Sequence, residues 1–357
     1  MKNSAFRPAA LAAVLLSSML AVAAILSSCG RRRTLHVYTW CDYISPELVH
    51  EFERRHRCTI RQDIFDSNEM MFAKLQSGGD GYDIVCPSHY YVGKMAASGM
   101  LAPLDKMLLP NLVHLDEGVL AKFAPGVLDY AVPYFMSYTG IGYNRRILGE
   151  LEPTWDVFLR EDLRGRMTLL DDYSEVLGAA ARKLGFGYDD ILGDPEKAAR
   201  AVEVALRWRA NIVKFDNEQY KNGLATGEFL VVMGYFSDLS QIIADNDDLA
   251  VMMPEEGGMM SCDMLAVCKN AREPELAHEF INFLHDPANA ARNMADVYAY
   301  CPNRDAVPLL DEDVLEDETI FVRGRGLENS LFMPEFTEDE AGVLGALWSQ
   351  VKSGTAR

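Results

Sequence analysis

Short apolar strands alternate with helices from Leu35 onward, and few architectures accommodate this pattern. Residues 35–40 mix β-branched and aromatic side chains, as a short strand does. Ser45, Pro46 and Glu47 then predict a helix start, with serine as the N-cap and proline at the first helical position. The alternation predicts an α/β fold with mostly parallel strands, in which ligands bind beyond the carboxyl ends of the strands.

Acidic, hydroxyl and aromatic side chains follow the predicted strands. We predict these strands at residues 35–40, 82–86, 167–170 and 229–234. The candidate ligand-binding residues after them are Trp40, Cys41, Asp42, Tyr43, Ser88, Tyr90, Asp171, Asp172, Glu175, Tyr235 and Asp238. Structural roles are the alternative, with Trp40 and Tyr43 as core aromatics and Ser88 as an N-cap. Asp172 and Glu175 also fit a capping box, which satisfies backbone N–H groups at a helix start.

Two extended segments contain no helix between their halves. They cover residues 131–144 and 259–267, and the second contains Asp263. A chain of 357 residues, 49% of them hydrophobic, is long enough for two packed domains. We therefore interpret both segments as crossovers between two domains.

The first 28 residues have the pattern of an export signal. Lys2 and Arg7 precede an uncharged, alanine- and leucine-rich run over residues 9–28. Small residues lead directly into Cys29, as in bacterial lipoprotein signals, in which the cysteine becomes the lipidated first residue. An ordinary secretory signal and a retained transmembrane anchor are the alternatives. We expect an exported protein that is tethered to a bacterial membrane through Cys29.

The charge and the cysteine and histidine patterns exclude several classes of partner. The formal net charge of −19 argues against nucleic acid and is compatible with a cationic ligand. Besides Cys29 there are six cysteines without a C-x-x-C pair, so we expect buried free thiols rather than a zinc site. The seven histidines show no metal-ligand spacing, and we expect no metal and no cofactor.

In their order along the chain, several motifs resemble those of the spermidine/putrescine-binding periplasmic proteins of bacterial ABC importers. The motifs are Tyr38-x-Trp40-x-x-Tyr43, Ser67-Asn68-Glu69, Tyr82-Asp83-Ile84-Val85 with Pro87-Ser88, Ile141-Gly142-Tyr143-Asn144, Asp171-Asp172 with Glu175, Pro254-x-Glu256-Gly257-Gly258 and Ile281-Asn282-Phe283-Leu284. Each motif alone is weak, but their shared order is specific. The resemblance extends from the end of the signal to about Asn303.

The resemblance implies a two-lobed periplasmic-binding-protein fold of type II, with mixed sheets flanked by helices and two crossovers between lobes. Residues 29–138 and 263–305 would form the first lobe, and residues 139–262 and 306–357 the second. It further implies a monomer that takes a polyamine into the interlobe cleft. The permease subunits of an ABC importer would then receive the ligand.

The resemblance also assigns the candidate residues by position. Asp263 matches a carboxylate at the second crossover, and the residues from Trp40 to Tyr90 form the first-lobe wall. Tyr235 stands where the family usually has a cleft tryptophan. Asp238 resembles an aspartate of the putrescine-binding branch, so we expect putrescine to be preferred, with spermidine also bound.

Two positions depart from the family pattern. Ser261 replaces an aromatic residue two positions before the crossover aspartate. Ala299 falls where a cleft tyrosine is expected, although Tyr298 and Tyr300 flank it. The cleft wall there is therefore expected to be shorter, or to be completed by a neighbouring side chain.

Carboxylates and aromatic rings suit a polyamine for physical reasons. Its amines are ammonium groups at neutral pH, and burying an ammonium requires carboxylates and hydrogen bonds in place of water. We expect Asp238 and Asp263 near one end of the ligand and Asp171, Asp172 and Glu175 near the other. Aromatic faces would contact the methylenes and attract the cations.

Three other functions fit parts of the sequence. Paired carboxylates also occur in glycosidases, but the chain lacks a nucleophile elbow, a P-loop and an H-E-x-x-H motif, so we do not expect an enzyme. The same fold could bind another solute, such as iron, a sugar or an amino acid. An amino acid would require an arginine for its carboxylate, and the candidate positions supply none. A surface interaction protein without a transport role is the third possibility.

Overall fold

A computed structural model describes residues 32–79, 81–244 and 246–354. The predicted signal and Cys29 lie outside the described residues. The strands are β1 (Arg33–Thr39), β2 (Cys58–Ile64), β3 (Ile84–Val85), β4 (Ala131–Asn144), β5 (Met167–Leu169), β6 (Lys214–Phe215), β7 (Val231–Tyr235), β8 (Leu249–Met252), β9 (Met259–Val267) and β10 (Leu331–Phe332).

Helices flank the strands along most of the chain. The α-helices are α1 (Pro46–His56), α2 (Asn68–Gln76), α3 (His89–Ala97), α4 (Glu117–Leu120), α5 (Arg145–Leu148), α6 (Tyr173–Lys183), α7 (Tyr188–Gly193), α8 (Pro195–Arg209), α9 (Tyr220–Thr226), α10 (Phe236–Ala244), α11 (Pro274–Leu284), α12 (Pro287–Val297), α13 (Glu312–Glu316), α14 (Arg325–Asn329) and α15 (Glu338–Ser353). Within the described ranges, no helix is both long enough and apolar enough to cross a bilayer.

The strands pair in the order β2-β1-β3-β9-β4-β7-β5-β6, with β10 beside β9 and β8 beside β4. The pairs among β1, β2 and β3 are parallel, as are those among β5, β6 and β7. The connecting pairs β3–β9, β9–β4 and β4–β7 are antiparallel. Strands β1 to β3 therefore run in the opposite direction to β5 to β7. The α/β expectation is confirmed.

The two predicted crossovers are the strands β4 and β9, with the bounds expected from the sequence. Ala131 to Tyr138 of β4 pair with β9, and Thr139 to Asn144 pair with β7 and β8. Each strand therefore belongs to both halves of the molecule, and the two strands are hydrogen-bonded to each other.

Buried apolar side chains form separate cores on either side of these crossing strands. We call the part built on core residues between 35 and 136 and between 262 and 310 the first lobe. The part built on core residues between 141 and 259, together with Met333, Leu344 and Val351, is the second lobe. The fold is thus two-lobed, and the terminal helix α15 packs on the second lobe.

The opposite strand directions bring two sets of carboxyl ends towards each other. Because β4 leaves the first lobe for the second, the parallel strand β1 ends facing the second lobe, and β7 ends facing the first. On β4, Phe135 pairs with Asp263 and Thr139 pairs with Tyr235. These two positions on β4 are four residues apart. At ~3.3 Å per residue, the levels of Asp263 and Tyr235 are therefore ~13 Å apart along β4.

Several predicted elements differ in extent. The strand expected at 82–86 contains only Ile84 and Val85, and residues 155–163 form two short 3₁₀ turns. Strand β2 was not predicted, although its inward side chains Cys58 and Ile60 alternate with partly exposed ones. Such alternation is the normal signal of a half-buried strand.

All six cysteines in the described part of the chain are free thiols. Five are buried, as expected, but Cys41 is exposed because it lies in the turn that follows β1. The expectation of buried thiols is therefore wrong at this one position.

Asp83, next to β3, links segments of the first lobe through hydrogen bonds. Its fully buried carboxylate accepts hydrogen bonds from the backbone N–H groups of His36 (2.8 Å), Arg272 (2.7 Å) and Glu273 (2.9 Å). It thereby joins β1 to the start of α11.

We expect Asp83→Ala to lower the free energy of unfolding by about 2–4 kcal/mol, because it leaves three partly buried backbone N–H groups without their acceptor. Chemical denaturation followed by circular dichroism measures this change. Asp129→Ala is the control, since that aspartate is exposed and pairs with Lys106 on the surface; it should change stability by less than about 1 kcal/mol. Equal effects of the two substitutions would contradict the role of Asp83.

Candidate ligand-binding site

A cavity of about 260 Å³ lies between the lobes, where the two sets of strand ends face each other. Ten of the twelve candidate residues line it: Trp40, Cys41, Tyr43, Ser88, Tyr90, Asp172, Glu175, Tyr235, Asp238 and Asp263. Residues far apart in sequence thus converge on one space. Its volume is slightly below the usual range for small-molecule sites, ~300–1,000 Å³, which suits a small ligand.

Asp263 is held on the crossing strand β9 by two hydroxyl groups. Tyr43 donates to one carboxylate oxygen (2.5 Å) and Ser88 to the other (2.6 Å). Burial raises the pKa of Asp263 to about 6, and these two hydrogen bonds oppose the rise because they stabilise the ionised form. Ser88 precedes α3 without capping it through its side chain, so its hydroxyl serves Asp263 instead.

Glu175 is a buried carboxyl group with an unused oxygen. Its side chain lines the cavity and is 4% exposed, yet Oε2 has no hydrogen-bond partner among the described residues. Burial, together with the nearby negative charge of Asp172, raises the pKa of Glu175 to about 8. A cation beside this oxygen would stabilise the ionised form.

Asp172 combines a structural role with a place in the cavity wall. It is the N-cap of α6, and Oδ1 accepts from the N–H groups of Ser174 (2.8 Å) and Glu175 (3.3 Å). Burial raises its pKa in spite of these hydrogen bonds. The capping interpretation is therefore confirmed for Asp172, but Glu175 does not close a capping box because its side chain lies in the cavity wall.

Aromatic rings form much of the remaining wall. The Trp40 ring lies 4.4 Å from the ring of Phe65, and both residues line the cavity. Tyr90 and Tyr235 contribute further rings from opposite lobes. The indole N–H of Trp40 has no acceptor among the described side chains and backbone groups. The wall therefore offers apolar ring faces to a ligand.

Asp238 lies in the first turn of α10 and has two partners within the protein. The Tyr220 hydroxyl donates to Oδ2 (2.7 Å), and Lys221 Nζ lies 3.6 Å from Oδ1. Lys221 also lies 3.3 Å from Oδ2 of Asp42. Burial alone would lower the pKa of Lys221, but the two carboxylates outweigh burial and raise the pKa, so this residue is an ammonium.

Two candidate residues do not line the cavity. Asp171 faces the outside of the second lobe, where Lys352 Nζ lies 2.7 Å from both of its oxygens. Asp42 has a largely exposed side chain and reaches the cavity only through its contact with Lys221. Asp171 is therefore not part of the expected acidic cluster, because the N-cap geometry of Asp172 turns the preceding residue outward.

Several residues of the wall were not predicted from the sequence, among them Phe65, Asn68 and Lys221. Phe65 follows the unpredicted strand β2, and its alternation was the available signal. The buried Asn68 donates to Ser88 (3.1 Å) and Tyr90 (3.2 Å) but gave no signal beyond a helix start. Lys221 lies on the short helix α9, where a lysine is normally a solvated surface residue.

The two departures from the family pattern open the wall. Ser261 lines the cavity with a small side chain where an aromatic ring was expected. Ala299 is buried, and the cavity wall includes neither Tyr298 nor Tyr300. Tyr300 instead packs on Phe321, with ring centroids 5.4 Å apart. Of the two expectations, a shorter cleft wall agrees with the structure, and completion of the wall by Tyr298 or Tyr300 does not.

Comparison with known proteins defines the class of this protein. Residues 47–322 match the family of bacterial extracellular solute-binding proteins, and the chain belongs to that family. Its fold is accordingly that of the two-lobed periplasmic solute-binding proteins.

Particular relatives are similar along most of their length. The chain is 31% identical to the putrescine-binding periplasmic protein PotF of Escherichia coli, over 95% of this chain and 98% of that protein. A solved structure of a putative spermidine/putrescine ABC transporter from Listeria monocytogenes is 29% identical, with a TM-score of 0.81, over 90% of this chain and 99% of that one. The TpPotD lipoprotein of Treponema pallidum is also 29% identical, with a TM-score of 0.77, over 89% and 99%.

The contacts of Asp263 yield a test of the electrostatics. We expect Ser88→Ala to raise the pKa of Asp263 above about 6 by roughly one pH unit or more, because a hydrogen bond to a charged group contributes ~1.5–3 kcal/mol. Carbon-13 NMR titration of aspartate-labelled protein measures this midpoint. Ser240→Ala is the control, since this buried hydroxyl donates to a backbone carbonyl of α10. An unchanged midpoint in Ser88→Ala would show that Ser88 does not stabilise the carboxylate.

Proposed function

We propose that this protein captures a polyamine, putrescine or spermidine, in the interlobe cavity and delivers it to the permease subunits of an ABC importer. The single observation that carries this proposal is Glu175, a residue that lines the cavity and whose buried carboxyl oxygen Oε2 has no partner among the described residues. A buried carboxyl group left in this state costs free energy unless a ligand satisfies it. A ligand ammonium would do so.

The chemistry of the wall supports the same ligand class. Asp172 and Asp263 accompany Glu175, so an ammonium that enters the cavity can exchange water for several carboxylate oxygens. Each charge-assisted hydrogen bond would contribute ~1.5–3 kcal/mol. The rings of Trp40 and Tyr235 would contact the methylenes, at ~0.8 kcal/mol per buried CH₂.

Named relatives point in the same direction. PotF is named as a putrescine-binding protein, and the Listeria structure as a spermidine/putrescine transporter. For this chain we further propose lobe boundaries at residues 29–138, 139–262, 263–305 and 306–357. The separate cores described above support this division except near its last boundary, where Ala306 and Leu310 pack in the core of the first lobe. Hinge motion of the lobes would enclose the ligand.

The cellular setting follows from the family and the N-terminal sequence. We propose a periplasmic monomer that is anchored to a bacterial membrane through a lipid on Cys29. The small residues before Cys29 support the anchor, and the relative from Treponema pallidum is named a lipoprotein. We propose that the protein binds its ligand without transforming it, since a transport protein requires release of the same molecule.

Calorimetric titration of protein that begins after Cys29 tests the proposal. Co-purified ligand is first removed by partial unfolding and refolding. Saturable one-to-one binding of putrescine or spermidine, without binding of a neutral diol of similar length, is the expected result. No heat with either amine, from demonstrably folded protein, would point to another solute or to an interaction protein without ligand.

The carboxylates should dominate the binding free energy. We expect Glu175→Gln and Asp263→Asn each to weaken amine binding by roughly 10- to 150-fold, which corresponds to ~1.5–3 kcal/mol for a charge-assisted hydrogen bond. Asp171→Asn is the matched control because that aspartate pairs with Lys352 outside the cavity. Near-unchanged affinity in Asp263→Asn would mean that the ammonium lies elsewhere.

Binding should also release protons. Glu175, with its pKa of about 8, is mostly protonated at pH 7, and an adjacent ammonium favours its ionised form. The amine itself stays charged because its pKa is ~10. Affinity should therefore rise with pH between about 6 and 8, the interval bounded by the pKa values of Asp263 and Glu175. Calorimetry at pH 7 in buffers of different ionisation enthalpy measures the released protons, and Glu175→Gln should abolish most of this release. A pH-independent affinity would contradict this assignment.

A further inference from the structure

Lys221 brings a positive charge of the protein's own into a cavity lined by acidic groups. Its side chain is 17% exposed and lines the cavity from α9 of the second lobe. Its ammonium lies 3.3 Å from Asp42 Oδ2 in the first lobe and 3.6 Å from Asp238 Oδ1 in the second. Lys221 is therefore held between carboxylates from both lobes.

This arrangement leaves Asp238 little capacity for a second cation. Oδ2 already accepts from Tyr220, and Oδ1 faces Lys221. The Asp42 carboxylate is likewise engaged, by Lys221 and by the Cys41 thiol at 3.2 Å. A ligand ammonium next to Asp238 would lie within a few ångströms of the Lys221 ammonium, and two like charges in a water-poor cavity repel each other strongly.

Two other acidic residues of the cavity, Glu175 and Asp263, are in a different state. Glu175 has an unpartnered oxygen, and the partners of Asp263 are neutral hydroxyl groups. Among the described residues, neither carboxylate forms an ion pair with a lysine or an arginine. The cavity is thus asymmetric: a lysine ammonium lies beside Asp238, whereas no ion pair of the described residues joins a lysine or arginine to Glu175 or Asp263.

We propose that Lys221 replaces one ligand ammonium at the Asp238 side of the cavity, so that the preferred ligand is a monocation. This inference rests on the proposed capture of an amine and narrows the class of amine. The ligand would be an alkylammonium whose far end carries a neutral hydrogen-bond acceptor, as in a mono-N-acylated diamine or an amino alcohol. Its ammonium binds beside Glu175, and an N–H of Lys221 donates to the neutral oxygen at the other end.

The geometry also explains why Lys221 does not simply move away. Salt bridges to both lobes hold its ammonium, and Gln241 reinforces the same contact by donating to the backbone carbonyls of Asp42 (3.3 Å) and Val297 (3.1 Å). Turning Lys221 outward would leave the partly buried Asp238 without its cation. The lysine is therefore a fixed part of the wall.

Binding of two probes to three proteins tests the proposal. The probes are putrescine, with two ammonium groups, and its mono-N-acetyl derivative, with one. The proteins are the wild type, Lys221→Met, which keeps the length and apolar stem of the side chain but not its charge, and Lys352→Met. Lys352 is the matched control because it forms a salt bridge in the same lobe but outside the cavity.

We expect wild type and Lys352→Met to bind the mono-N-acetyl derivative at least as tightly as putrescine. In Lys221→Met, putrescine should bind at least tenfold more tightly than in wild type, whereas the affinity for the acetyl derivative should stay the same or fall. Lys221→Gln, which keeps a hydrogen-bond donor without the charge, should show the same gain for putrescine. Thermal unfolding confirms that each variant is folded, and Lys221→Gln serves if Lys221→Met is not.

Two results would overturn the proposal. The first is a wild-type preference of tenfold or more for putrescine over its acetyl derivative. The second is an unchanged ratio of the two affinities in both Lys221 variants. Either result leaves amine capture intact, whereas an absence of binding of both probes to all the folded proteins would overturn the proposed function itself.

Discussion

The desolvation of carboxylates between two lobes is the constraint on which the site depends. Asp172, Glu175 and Asp263 lie where strand ends of opposite direction meet, and burial raises the pKa of each. The protein compensates this cost unevenly: hydroxyl groups serve Asp263 and backbone N–H groups serve Asp172, but one oxygen of Glu175 has no described partner. A ligand can therefore contribute the most binding free energy at this unpartnered oxygen of Glu175.

The crossing strands make this arrangement possible. A helix crossover would have separated the lobes, but β4 and β9 carry one continuous path of strand pairing from β2 to β6. Asp263 therefore lies on a strand that belongs to both lobes, and its two hydroxyl partners come from loops after β1 and β3. The first-lobe wall and the crossing strand are thus fixed relative to each other before any ligand enters.

Much of this could be predicted from the sequence, because long apolar extended segments such as 131–144 and 259–267 have few other interpretations. Polar residues after strands also predicted most of the wall, since strand ends gather on one side of a parallel sheet. What could not be predicted was the direction of individual side chains. Asp171 and Asp172 are adjacent, yet one forms a surface salt bridge and the other lines the cavity. Lys221 gave no signal because only the packing of α9 against the first-lobe turn buries its ammonium.

The hydrogen-bonded pair of crossing strands has a mechanical consequence. Two strands joined side by side form a ribbon, which bends easily about an axis in its own plane but resists shear between the strands, since shear would break the ladder of hydrogen bonds. If this ribbon is the hinge of the proposed closure, the lobes would approach each other along one preferred path. Each closure would then bring the same edges of the two lobes together, and a membrane partner would meet one reproducible outer surface.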